Sequence, residues 1–573
     1  MSTDPRTTPG ALTRRRWLSG LLATVATPRM ARAQPTPPPP AAPASPVSTA
    51  VPPQSTATAP QLAEPFVVDI HCHSFNTSDL PITGFSAHYV PYLSDLAQEV
   101  WALPDKVFRD IAAFAERLLG RVAPSPDAES TSLVQALRAG QSASPVAPFA
   151  IPAGALQIVA TEVALLLHRD AAAVEKAIDQ IVQLLWTVSH GRAEVAATLI
   201  ATYPTVTLFT PCLVDYDAWS GAPAPTHLPR QLQLHEMVSR LSMRDLLGGA
   251  KGVRLHGFVP FDPLREVNGR RPLTEPYRPY GVSSPPFADA APYSYACPAP
   301  APTPVPSLAG PDPIPALADD AGAIELVRHA VEQCGFVGVK LYPPVGFLPM
   351  GNAEWRGDDT GKALDRALRA FYAYCQAEEV PITVHASPAN GYALGYGGLA
   401  RPDGWGAVLA AFPRLRLNFG HFGHAEGTDT VAGVEACQAW IRQAALLIQD
   451  YPNVYADMSN SPLVYDASYA RKLLTWIERL RQRYPRLGQR LMYGSDWWLN
   501  RLGPRSEQFV SEFQAQLPTR LDAAAVAGVM GRNALRFLGF IDDSGAFVSK
   551  SRNRARLQRY YRRVGVGSPP WLG

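Results

Sequence analysis

Phe66-Val67-Val68-Asp69-Ile70-His71-Cys72-His73 is the stretch on which the reading of the fold turns. Its apolar residues run without strict alternation, as in a strand buried on both faces. It ends in two histidines one residue apart. Residues two apart in an extended strand point the same way, so both imidazoles can face one point at the strand's end. Seven further runs of this kind follow: Thr205–Leu213, Gly252–Phe258, Phe336–Leu341, Ile382–Val384, Leu415–Phe419, Val454–Met458 and Leu491–Tyr493. Amphipathic stretches such as Gly361–Ala377 and Ser468–Tyr484 separate several of them. Eight strand–helix units predict an α/β fold, a TIM (β/α)8 barrel over residues 64–545, with its site at the C-terminal ends of the strands.

Two insertions enlarge that barrel. Residues 74–203, after the first strand, are expected to be largely helical, with apolar residues at helical spacing in Ala155–Leu167 and Ala171–Trp186. They would cover the barrel mouth, make a dimer surface in a homo-oligomer, or pack on the barrel's side. Residues 262–320, after the third strand, are rich in proline, and a loop of such length is usually a lid or a wrapping arm.

Composition agrees with one decorated domain. Of 573 residues 47% are hydrophobic, which supplies a sizeable core and excludes wholesale disorder. The net charge of +3 is too small to argue for a nucleic-acid partner. The 57 prolines are about twice the usual share, and they concentrate in the second insertion and in residues 34–63. That Pro/Ala/Ser/Thr segment lacks large apolar side chains and reads as a disordered linker. Before it, the Arg14-Arg15 pair, the apolar run Leu18–Val25 and Ala31-Arg32-Ala33 look like a bacterial twin-arginine signal peptide over residues 1–33. The expected partner is the twin-arginine export machinery and the expected location periplasmic or secreted. The apolar run is too short for a stable membrane span, which takes about 20 residues. The cysteines at 72, 212, 297, 334, 375 and 437 are dispersed, with no CxxC pair. The tail, residues 546–573, holds a basic run from Lys550 to Arg563 that reads as a solvated helix, with membrane or phosphate contact as the alternative.

Five more ionisable groups stand at or just after strand ends: Lys340, His385, His421, Asp457 and Asp496. The chain has only 12 histidines, and four of them, His71, His73, His385 and His421, fall where the barrel places its site. Imidazole suits zinc, iron and nickel, so the pattern points to a divalent metal site for a small-molecule substrate. Asp457 reads as a partner of a ligand, His256 and His424 as partners of a ligand or structural, and Tyr342, Phe347, Trp405, Trp497 and Trp498 as an aromatic wall.

His71-x-His73, His385, His421 and Gly494-Ser495-Asp496 together resemble the amidohydrolase superfamily. The branch they most resemble is the amidohydrolase-related one, which includes aminocarboxymuconate-semialdehyde decarboxylase. Gly531-Arg532-Asn533 also resembles the start of that branch's closing helix. The resemblance implies that His71, His73, His385 and Asp496 ligate a first metal, most often zinc. His421 is then a catalytic acid/base or a ligand of a second ion. Lys340, in Gly338-Val339-Lys340-Leu341, is either a carboxylated bridge between two ions or a lysine paired with a carboxylate. The implied activity is a metal-dependent hydrolase attacking an amide, ester or lactone, with Asp496 as general base and His421 at the substrate oxygen. A non-oxidative decarboxylase or hydratase using the same ligands is the alternative, and an inactive binding barrel a third.

Overall fold

Apolar runs with little alternation become short strands, and every strand residue but Arg254 is buried. The computed structural model describes residues 66–81, 123–148, 161, 171–220, 224–268, 317, 321–387, 396–423, 431–461, 467–497, 499–502 and 506–573. The signal segment and linker, most of 155–167, most of the proline-rich insertion, and Cys297, His424 and Trp498 lie outside them. The strands are β1 (Val68–Cys72), β2 (Leu208–Pro211), β3 (Arg254–Leu255), β4 (Phe258–Phe261), β5 (Gly338–Leu341), β6 (Ile382–His385), β7 (Leu417–Gly420), β8 (Val454–Asp457) and β9 (Leu491–Met492). They form two sheets, β1-β2-β3 and β4 through β9 in order. All neighbours are parallel.

Among the described residues the expected eight-stranded closed ladder is therefore corrected to nine strands in two sheets. The third apolar run breaks at His256-Gly257. There the His256 ring turns to the helix Arg552–Arg563, with Nε2 2.9 Å from the Tyr561 hydroxyl and Nδ1 3.0 Å from the Gly335 carbonyl. Gly257 sits so close to Phe336 that a Cβ would lie 2.8 Å from its ring. Separate backbone bonds link the sheet edges. The Leu213 N–H donates to the Phe258 carbonyl at 3.0 Å, and on the other side Asp496 N–H donates to His71 C=O at 2.7 Å.

The described helices include α1 (Pro126–Ala139), α2 (Ala171–Val188) and α3 (Arg192–Thr202) between β1 and β2. After β2 come α4 (Leu228–Met243), α5 (Pro263–Asn268), α6 (Ala323–Gln333), α7 (Asp359–Glu378), α8 (Val431–Asp450), α9 (Ala467–Arg483) and α10 (Arg552–Arg563). Local signals set their ends: the Asp358 carboxylate accepts the Gly361 N–H at 2.7 Å to start α7, and Gly140 at φ 64° ends α1. The Phe261 and Phe371 rings stack at 3.9 Å, fixing β4 against α7. Helix α10 is not wholly solvated. Its Leu557, Tyr560 and Tyr561 are buried against Phe258, Val337 and Trp571, and its arginines turn mostly outward. Cys72, Cys212, Cys334 and Cys375 are free and buried.

Between β1 and β2 the helices are knotted to the exit of β1 by Arg192. Its buried guanidinium donates to Asp79 Oδ2 at 3.0 Å and Ser78 Oγ at 3.1 Å and pairs with Glu129 of α1. His235 of α4 also reaches Asp79, at 3.5 Å. Truncating Arg192 strands two buried carboxylates. Arg192→Ala is expected to lose about 3–5 kcal/mol of unfolding free energy, measured by denaturant titration. A loss below about 1 kcal/mol would show that the knot is not structural.

Candidate metal centre

Because all strands run parallel, the residues at their C-terminal ends gather on one side. His71 lies in β1 and His73 just past it, Lys340 lies in β5, His385 and Asp457 close β6 and β8, and His421 and Asp496 follow β7 and β9. All seven are buried. The exits of β7 and β9 are bent to present them: His421, Phe422 and Asp496 have φ of 67°, 48° and 54°, a left-handed conformation costly for such residues. Glycines make the space. A Cβ on Gly420 would lie 2.9 Å from His71 Cε1, and one on Gly494 2.9 Å from His71 Cβ.

Hydrogen bonding fixes the protons. His71 Nδ1 is 3.1 Å from Asp457 Oδ2. Burial alone would raise the Asp457 carboxyl, yet His71, His421 and Ser459 hold it well below the usual carboxylate range. An ionised carboxylate only accepts, so His71 Nδ1 carries the hydrogen and Nε2 the lone pair. Lys340 Nζ, 2.7 Å away, donates to that lone pair. Burial and the Lys340 charge push the His71 imidazolium pKa down to about 4. Asp457 also accepts from Asn418 Nδ2 at 2.6 Å, from the His421 N–H at 3.1 Å and from Ser459 Oγ at 2.5 Å. The Ser459 hydroxyl thus spends its one hydrogen on Asp457. His421 Nδ1, 3.0 Å from that hydroxyl and 3.3 Å from the Ser459 carbonyl, must be a donor. Its Nε2 therefore holds a lone pair, aimed at His385 Nδ1 3.1 Å away.

His73 closes the set. Its Nδ1 is 2.7 Å from the Cys212 carbonyl and so donates to it. In the neutral ring Nε2 then presents a lone pair to Asp496 Oδ1 at 3.1 Å, two acceptors face to face. Asp496 Oδ2 and His385 Nε2 are buried with no hydrogen-bond partner among the described residues. The ligand atoms of His71, His73 and Asp496 lie within 4.8 Å of one another, a group that could hold a cation.

Residues 305–540 match the family model described as Amidohydrolase. The amidohydrolase match takes in Lys340, His385, His421, Asp457 and Asp496 and begins after the β1 histidines. No curated protein matches the chain. Similar solved structures include an amidohydrolase from Burkholderia multivorans with bound zinc, 19% identical over 38% of this chain and 80% of that one, with a TM-score of 0.27. A TIM-barrel protein from Bordetella bronchiseptica is 14% identical over 82% and 98%, with a TM-score of 0.34. A uronate isomerase from Bacillus halodurans is 12% identical over 82% and 93%, with a TM-score of 0.33.

The structure adds residues that the pattern of strand ends did not single out. Ser459, two residues past Asp457, shares its side of the chain, and Asn418 points inward from β7; both hold Asp457. Asp69 accepts the Ser495 N–H at 2.9 Å and its hydroxyl at 2.6 Å, tying the Asp496 turn to β1. Asp215 and Asp262 follow β2 and β4 and were findable by the rule that found Asp496. They line a small niche with Lys340, Tyr342 and Phe347. Asp262 Oδ1 accepts from Trp219 Nε1 at 2.8 Å, and Oδ2 is buried without a partner among the described residues. Burial and neighbouring Asp215 push the Asp262 carboxyl up to about 7. Of the expected aromatic wall, Tyr342 lies 4.6 Å from His385 and Phe347 lines the niche, whereas Trp405 is buried against Tyr372 of α7. His256 contacts the Tyr561 hydroxyl instead.

Asp457→Asn removes the acceptor that fixes the proton on His71. Affinity for zinc, followed by competition with a chromophoric chelator, is expected to fall about 10–100-fold with the fold intact. Unchanged affinity would remove Asp457 from the centre.

Proposed function

We propose that the chain is a metal-dependent hydrolase of the amidohydrolase kind, on a (β/α)8 barrel whose two halves are the two sheets. The observation that carries this reading is the His73–Asp496 contact: a lone pair and a carboxylate oxygen 3.1 Å apart call for a positive charge between them. A doubly protonated His73 would satisfy that pair alone. It would leave the ligand atoms of His71, His73 and Asp496, gathered within 4.8 Å, without a common partner, whereas a divalent ion is suited to all three. The donor set fits: His71, His73 and Asp496 would hold the ion, and imidazoles with a carboxylate suit zinc, whereas His385, implied as a ligand by the resemblance, stands outside that close group.

When bound, the ion supplies Lewis acidity, which lowers the pKa of a water from 15.7 to about 7. Asp496 Oδ2, free of other bonds among the described residues, takes the proton of the attacking water and returns it to the leaving group of an amide, ester or lactone. Asp457 keeps the His71 lone pair on Nε2. Lys340 donates to that same lone pair, so its ammonium competes with the ion and must move aside or be carboxylated into a ligand. His421 has both nitrogens in contact with protein, and its Nε2 can serve a substrate oxygen only when the His385 contact opens. The niche beside Lys340 suits a substrate group that donates a hydrogen bond to Asp262 Oδ2.

Elemental analysis of the purified protein is expected to find one or two divalent ions per chain. His71→Ala and Asp496→Asn should each lower turnover on a panel of lactones, esters and amides by about 10³-fold or more. Metal-free protein with full activity would overturn the reading, and CO₂ release without water incorporation would replace hydrolysis by decarboxylation. We also propose export of the folded chain by the twin-arginine route, supported by Arg14-Arg15, the apolar run and Ala31-Arg32-Ala33. Arg14→Lys with Arg15→Lys is expected to trap the protein in the cytoplasm, scored by fractionation. Unchanged export would refute the signal.

A further inference from the structure

On the far side of the sheets from the metal centre, α10 borders an open groove of about 790 Å³. The groove is lined by Glu332 and Gln333 at the end of α6, Glu378 at the end of α7, and the outer face of α10. Those helix ends feed the starts of β5 and β6, the strand ends opposite to His385. Six cations line it, Lys550, Arg552, Arg556, Arg559, Arg562 and Arg563, against two carboxylates.

Their pairing is uneven. Glu378 takes Arg552 at 2.9 Å and Arg556 at 3.6 Å, and Arg563 is held on Gln333 at 2.5 Å. Lys550, Arg559 and Arg562 are exposed, and their side chains have no ion pair or hydrogen bond among the described residues. Arg559 and Arg562, three apart, share one helix face with no carboxylate placed between them. The helix that bears them is rigidly seated: Asn553 Nδ2 donates to the Val337 and Leu538 carbonyls at 3.0 Å each, and the Tyr560 hydroxyl lies 2.8 Å from Glu236. An anchored row of unpaired cations in a concave channel is preorganised for anions in series.

We propose that this groove binds a linear polyanion carrying closely spaced phosphates. A flat anionic bilayer fits the concavity poorly. Among the described residues the exposed large apolar side chain is Leu446 of α8, so nothing apolar at the groove offers itself for bilayer insertion. Tyr560 and Tyr561 are buried, which leaves no aromatic platform for stacked bases. Recognition therefore rests on charge spacing alone.

Fluorescently labelled inorganic polyphosphate, titrated with the full chain at rising salt, tests it. Lys550→Gln/Arg559→Gln/Arg562→Gln is expected to weaken binding at least about tenfold and to make its salt dependence shallower by about two to three in the log–log slope. Arg471→Gln/Lys472→Gln/Arg479→Gln removes the same charge from the exposed face of α9 and should leave affinity within about twofold. Arg562→Gln alone carries the test at about two- to threefold if the triple variant unfolds. Equal loss in both triple variants would reduce the effect to net charge and overturn the groove. So would absence of binding by the wild-type protein, or binding to anionic phospholipid vesicles without binding to polyphosphate.

Discussion

One hydrogen bond constrains the centre more than any other: the proton that His71 Nδ1 gives to Asp457, between residues 386 positions apart. Without it the imidazole could present either nitrogen to the middle of the site. With it, Nε2 faces Lys340 and the neighbouring ligand atoms, and the choice is made before any ligand arrives. The surroundings serve this bond. Gly420 and Gly494 clear the ring's volume, Ser459 and Asn418 hold the carboxylate from its other sides, and the left-handed turns at His421 and Asp496 bring the strand exits inward. Such turns persist only where tertiary bonds over-determine them. The Asp69–Ser495 bonds supply that hold on the Asp496 side.

Much of this was legible in the chain itself because its causes are local. A strand buried on both faces must be apolar whatever its partners, and the residue at its exit must point beyond the sheet. That logic places His71, His73, Lys340, His385, His421, Asp457 and Asp496 on one side of the strands. The same logic applied to Leu213-Val214-Asp215 and Val259-Pro260-Phe261-Asp262 would have added the niche carboxyls. Asp262 lies beyond the third run because that run ends at Phe258, three residues before β4 does, and Asp215 stands two residues past the second run.

What the sequence could not disclose has causes far away along the chain. The break at His256-Gly257 answers to Tyr561 and Phe336, so no window around residue 256 reveals it. Helix α10 misleads for a different reason. Its arginines dominate the local composition, while Leu557, Tyr560 and Tyr561 bury a stripe too narrow to change the average. Arg192 belongs to this class as well: a lone arginine in an apolar helix is unremarkable until Asp79 and Glu129 converge on it. These are pairings of charge and hydroxyl across 63 to 305 residues, which periodicity does not encode.

The bond between His256 and Tyr561 has a bearing on how the chain comes to be folded. It joins the gap between the two sheets to a residue 305 positions later, on a helix that also covers the starts of β2, β4 and β5. A nascent chain emerging from the ribosome can form its early strand–helix units in sequence, but this seam stays unsealed until the final helix is free to dock. A chain stalled short of residue 552 exposes Phe258, Leu208 and Val337 at an open edge.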